Sequence, residues 1–99
     1  MVLKDFEHKL QNLMQRAREI VDKQIENTDF TDVIIDIDHT IEKGIVIHAF
    51  IMRENGVNNL HITNGTEKYS LDDLTDDDYE GFEEYVKDSI EQAKKPYAA

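Results

Sequence analysis

Three groups of side chains have the chemistry to do work. The first lies in D-V-I-I-D-I-D-H-T-I, residues 32–41, where Asp36 and Asp38 are two positions apart. In an extended chain such residues point to the same side, and two carboxylates on one side can hold a hard divalent cation. The second is the histidines His8, His39, His48 and His61. The last three fall on successive expected strands, but no tight ligand spacing joins them into a zinc motif, so ordinary sheet positions are expected and no metal or cofactor is assigned. The third is the run of acids from Glu67 to Glu91. There is no Ser-His-Asp spacing, no glycine loop to cradle phosphate and no basic-aromatic nucleic-acid motif.

Asp36-x-Asp38-x-Thr40 after the apolar Val33-Ile34-Ile35 resembles the first motif of the haloacid dehalogenase-like phosphatases, and Leu60-His61-Ile62-Thr63-Asn64-Gly65 is similar to their second. The resemblance implies a magnesium-dependent phosphatase with Asp36 as nucleophile, Asp38 as acid/base and Thr63 on phosphate. It also implies parallel strands, whose crossovers take a dozen or more residues. Only two residues separate Ile41 from Gly44. Lys68, Asp72, Asp73 and Asp76 follow Thr63 too closely for the later motifs, and a non-enzymatic chain is expected.

The acidic run is the strongest surface feature. Residues 66–99 carry eleven acids and four bases, and the whole chain has a net charge of −11. Such charge repels nucleic acid and anionic membrane and attracts basic surfaces. On a helix, Asp76 with Glu80 and Glu80 with Glu84 hold Cβ atoms about 5–6 Å apart, a spacing comparable to successive phosphates of a nucleic-acid strand. In charge and size the chain resembles the small acidic inhibitors with which phages and mobile elements block nucleases, some of them DNA mimics. That likeness implies a protein-binding inhibitor whose partner is the basic surface of a DNA- or RNA-handling enzyme. The expected interface is Asp73, Asp77, Glu80, Glu84, Asp88 and Glu91, with Tyr69 and Tyr85 as aromatic anchors. Tyr79 is expected in the core. The competing expectation is a structural or adaptor domain that self-associates.

The elements that must position these groups follow from periodicity. Leu3, Phe6, Leu10, Leu13, Ala17 and Ile20 form one stripe of a long helix to about Glu26, ended by Asn27 to Asp29. This helix is longer than a small sheet needs, so a homodimer through it is expected as one use of the stripe. Met14 and Met52 read as core filling. Asp32–Ile41 reads as a first strand with Val33, Ile35, Ile37 and Ile41 on one face. Gly44–Glu54 reads as the central strand, with Ile45, Ile47, Ala49 and Ile51 opposite Val46, His48, Phe50 and Met52. Glu42-Lys43-Gly44 and Asn55-Gly56 are hairpin signals, Asn59–Thr63 is a third strand, and Asn64-Gly65 suggests another turn into a fourth at Thr66–Leu71. Thr75 is expected to cap the amide of Asp78, with Asp78 completing a capping box. Tyr79, Phe82, Val86, Ile90 and Ala93 then trace a last helix to about Lys95, stopped by Lys94-Lys95-Pro96, with the final residues frayed.

The expectation is therefore a single α+β domain over 1–99: a long N-terminal helix, a three- or four-stranded antiparallel meander and an acidic C-terminal helix. Ninety-nine residues, 39% hydrophobic, with four Gly and one Pro, suit one small core. The absence of Cys excludes disulfides and thiolate chemistry. With no long apolar run and acids at Asp5 and Glu7, a cytoplasmic protein is expected.

Overall fold

A computed structural model describes residues 2–94. The order is α1 (Val2–Gln24), β1 (Phe30–Thr40), β2 (Gly44–Arg53), β3 (Leu60–Gly65), a short 3-10 turn (Leu71–Asp73) and α2 (Asp76–Lys94). The strands form one antiparallel sheet in the order β1-β2-β3. Both helices lie on one side of it, α1 against β1 and β2 and α2 against β3 and α1. None of the helices among the described residues is long and apolar enough to cross a membrane.

Alternation in the sequence decides which face the helices take. Val33 and Ile35 of β1, Ile45, Ile47, Ala49 and Ile51 of β2, and Ile62 of β3 point inward and are buried. Leu13, Ala17 and Val21 of α1 and Phe82, Val86 and Ile90 of α2 meet them, each spaced to return to one side of its helix. Met14 and Tyr79 pack partly against this core. Ile41 does not: it sits in the β1–β2 turn at 93% exposure. Leu3 and the stop at Lys95-Pro96 lie outside the described side chains.

Local chemistry sets the boundaries. Asn27, at φ 62°, takes the left-handed conformation that ends α1, and the Thr28 amide and hydroxyl both donate to Ile25 O. The Phe30 amide then donates to Thr28 Oγ1, so β1 starts two residues earlier than expected, with a register shift before Asp32. Arg53 explains why Phe30 is buried there. Its guanidinium lies 4.3 Å from the Phe30 ring centre and pairs with Asp29 at 2.9 Å. Gly44 leaves the first hairpin at φ +69° and pairs with Thr40.

The fourth strand does not form. Asn64 and Gly65 stay in the ladder opposite Ile47 and Val46 instead of turning back. Thr66 N–H donates to Ile45 O at 3.0 Å and Ile45 N–H donates to Lys68 O at 2.7 Å. Two hydrogen-bonding residues flank Glu67, whose φ of 60° makes it a bulge, and the chain then leaves the sheet edge. At the start of α2 only half of the expected capping box is present. The Asp78 carboxylate accepts from Thr75 N–H at 2.8 Å, but the Thr75 hydroxyl donates to that same carboxylate at 3.2 Å, and the Asp78 amide donates to Thr75 O.

Candidate functional site

Two surfaces carry the polar chemistry, one on each side of the molecule. On α2, Asp77, Glu80, Glu84, Asp88 and Glu91 are all exposed. At roughly 100° per residue they fall within about 80° of arc, opposite the buried Phe82, Val86 and Ile90. From Asp77 to Glu91 the row runs about 21 Å along the helix. The neighbouring acids are treated differently. Asp72 pairs with Lys9 at 2.5 Å, Asp76 with Arg16 at 2.9 Å and Asp78 with Lys68 at 3.3 Å. None of Asp77, Glu80, Glu84 and Asp88 forms an ion pair among the described residues.

That division has a physical consequence. Arg16 of α1 reaches across to Asp76 in the first turn of α2 and also lies 3.8 Å over the Tyr79 ring, while Lys9 of α1 reaches Asp72 in the 3-10 turn. Burial pushes the Tyr79 phenol up, against the opposing effect of Arg16. Burial likewise pushes the Asp78 carboxyl up, but hydrogen bonds from the Thr75 amide, Lys68 and the Thr75 hydroxyl outweigh it and hold it below its ordinary range. These acids are part of how α2 is fastened, whereas the row from Asp77 onward is left facing solvent.

The expected aromatic anchors separate. Tyr85 is 48% exposed on α2, beside the acidic row. Tyr69 is 53% exposed, yet its hydroxyl donates to Ile41 O at 3.0 Å and Glu42 O at 3.3 Å, clasping the β1–β2 turn. Asp73 is exposed at the end of the 3-10 turn and its carbonyl accepts from Lys68 Nζ. Of the α1 stripe expected to serve a second subunit, Leu13 and Ala17 are buried in this chain's own core and Ile20 packs partly against it. What remains open, Phe6 and Leu10, lines a cleft of about 420 Å³ with Ile37, Ile45, Tyr69 and Leu71.

The second surface is the face of the sheet away from the helices. The ladder sets Ile34, Phe50 and His61 in one row and Asp36, His48 and Thr63 in the next. Diagonal neighbours then meet. His48 Nε2 is 2.8 Å from Asp38 Oδ2, and His48 Nδ1 is 3.1 Å from His61 Nε2. Thr63 Oγ1 is 3.3 Å from each of those facing nitrogens. Phe50 lies flat on the His61 ring, with centres 4.3 Å apart and planes 10° apart. Sequence spacing placed His48 and His61 on adjacent strands without joining them. His39, paired with Ile45, points to the other face, where its ring centre is 6.3 Å from Tyr69.

The phosphatase-like residues take other roles in this geometry. Asp36 Oδ1 accepts from the amide of Ile37 at 3.0 Å, and Asp32 Oδ1 from that of Val33 at 2.9 Å. Both carboxylates thus occupy backbone amides of the edge strand β1, and charge along such an edge disfavours pairing with another chain. The antiparallel meander supplies none of the parallel strands the motif resemblance requires. Among the described residues no group of three or more His, Cys, Asp or Glu is placed to hold a metal ion. No family model matches the chain, and no curated protein or solved structure matches it.

Proposed function

We propose that this domain is a non-enzymatic protein-binding module that presents the outer face of α2 to a basic surface on its partner. The observation that carries this reading is the contrast within one helix: Asp76 and Asp78 are tied to Arg16 and Lys68, while Asp77, Glu80, Glu84 and Asp88 are exposed and without ion pairs among the described residues. Carboxylates three and four apart repel by a few tenths of a kcal/mol per pair in an isolated helix. A cationic partner relieves that repulsion, and the near-linear row of negative charge suits a groove built for a nucleic-acid backbone. A nuclease or other DNA- or RNA-handling protein is accordingly the proposed partner class, and blocking its groove the proposed action.

The test is capture from a cell lysate on the immobilised protein, with salt and duplex DNA as competitors. The reading expects nucleic-acid-handling proteins to be retained at low salt and released both by salt and by DNA. Retention that is indifferent to both competitors removes it.

A further inference from the structure

The open face of the sheet brings together a donor set that neither the acidic row nor the core requires. Asp38 accepts a hydrogen bond at 2.8 Å from His48, which fixes the ring hydrogen on Nε2 and leaves a lone pair on Nδ1. That lone pair faces His61 Nε2 at 3.1 Å, and Thr63 Oγ1 completes a triangle with sides of 3.1, 3.3 and 3.3 Å. Two imidazole nitrogens each about 2.0–2.1 Å from one tetrahedral zinc ion lie about 3.3 Å apart. The spacing of the facing nitrogens is therefore close to that of a shared metal ion.

We propose that His48 Nδ1 and His61 Nε2 form a two-imidazole site for a borderline divalent transition ion such as zinc, nickel or copper. Asp38 is a positioning residue: a carboxylate on the far nitrogen of a ligating histidine sets its tautomer and raises its basicity. The ring centres are 5.4 Å apart while the facing nitrogens are 3.1 Å apart, so without metal the rings meet edge to edge through one hydrogen bond. A metal ion replaces that hydrogen, with His61 carrying its own hydrogen on Nδ1 instead. Phe50 lies flat on the His61 ring and leaves its facing nitrogen edge open. Thr63 contributes a neutral hydroxyl at the third corner, and water completes the coordination. His48 Nε2 faces Asp38 on the opposite side of the ring, so that carboxylate is outside the metal's own shell. Two neutral imidazoles select zinc, nickel and copper over magnesium and calcium, which prefer oxygen.

The experiment is a zinc titration of the full, untagged chain in excess magnesium, which occupies carboxylate sites, followed through the histidine ring resonances. Zinc is expected to shift His48 and His61, and magnesium alone to leave them in place. His61→Gln and His48→Gln each lower zinc affinity at least tenfold, and Asp38→Asn lowers it roughly tenfold to a hundredfold. His8→Gln and His39→Gln leave it unchanged. Because His61 is exposed, His61→Gln serves as the decisive variant, with circular dichroism confirming the fold. Wild-type zinc affinity in His61→Gln, or zinc shifts confined to other residues, overturns the site. Wild-type affinity in Asp38→Asn overturns the positioning role.

Discussion

Gly44 is the position where a single methyl group should do most damage. It is buried, has φ +69°, and starts the central strand. A Cβ there would fall well inside contact distance of Lys68 O and 2.9 Å from the Lys68 carbonyl carbon, both backbone atoms. Gly44→Ala therefore costs about 1–2 kcal/mol for a left-handed alanine. It costs about 0.5–1.5 kcal/mol more as Lys68 is pushed off its 2.7 Å hydrogen bond from Ile45. Reduced freedom of the unfolded chain returns about 0.4–1 kcal/mol, leaving a net loss of roughly 2 kcal/mol. For a domain of this size that lowers Tm by about 8–16 °C. Gly56→Ala is the internal control, since φ is +70° but no atom lies within 4 Å of the added Cβ. It should lose only about 1 kcal/mol. Urea unfolding followed by circular dichroism compares the pair. Equal losses, within about 0.5 kcal/mol, would refute the steric argument and the pinning of residues 66–68 to β2.

Phe82→Ala, at a fully buried position between α2 and the sheet, should lose about 3–5 kcal/mol in the same assay, and retention of wild-type stability would place α2 elsewhere. Asp78→Asn should cost about 0.5–2 kcal/mol near neutral pH by weakening the bonds to Thr75 and Lys68. The Asp78 carboxyl is lowered in the folded chain, so its contribution is full above the unfolded carboxyl's value and fades as pH falls through the lower folded one. The gap between wild type and Asp78→Asn should accordingly narrow on going from about pH 5 to pH 3, and a gap constant over that range would contradict the assignment.

Much of this fold was legible in the chain. The three-and-four spacing of Leu10, Leu13, Ala17, Ile20 and of Phe82, Val86, Ile90 announced both helices, and alternation in β2 assigned its inner face residue by residue. Of the three- or four-stranded alternatives, the fourth strand at Thr66–Leu71 rested on Asn64-Gly65 having the composition of a turn. The backbone instead keeps Asn64 and Gly65 paired and bends at Glu67, a choice settled by hydrogen bonds to Ile45 that no local pattern records.

The histidine pair was closer to legible than it looked. Extending the β2–β3 ladder outward from Ile51 opposite Leu60 sets Asn55 opposite Gly56, the register of a two-residue turn at that signal. That register alone puts Phe50 across from His61 and His48 across from Thr63. The diagonal contact between the two rings, and the reach of Asp38 from the other side, depend on sheet twist and side-chain rotamers. The division of acids into those held by Lys9, Arg16 and Lys68 and those left facing solvent needed tertiary packing: Arg16 meets Asp76 across α1 and α2, sixty positions apart, Lys9 meets the 3-10 turn, and Lys68 meets Asp78 from the end of the sheet.

The central claim is that the outer face of α2 binds a partner through its charge. Its most direct test is capture from lysate at low salt with the wild-type chain and with Asp77→Asn/Glu80→Gln/Glu84→Gln/Asp88→Asn, which neutralises four of the row's five carboxylates but none of the ion pairs to Arg16 and Lys68. The account predicts that the wild-type chain retains a nucleic-acid-handling protein, that the variant folds with equal or higher stability, and that it retains none. Equal capture by both chains would contradict it.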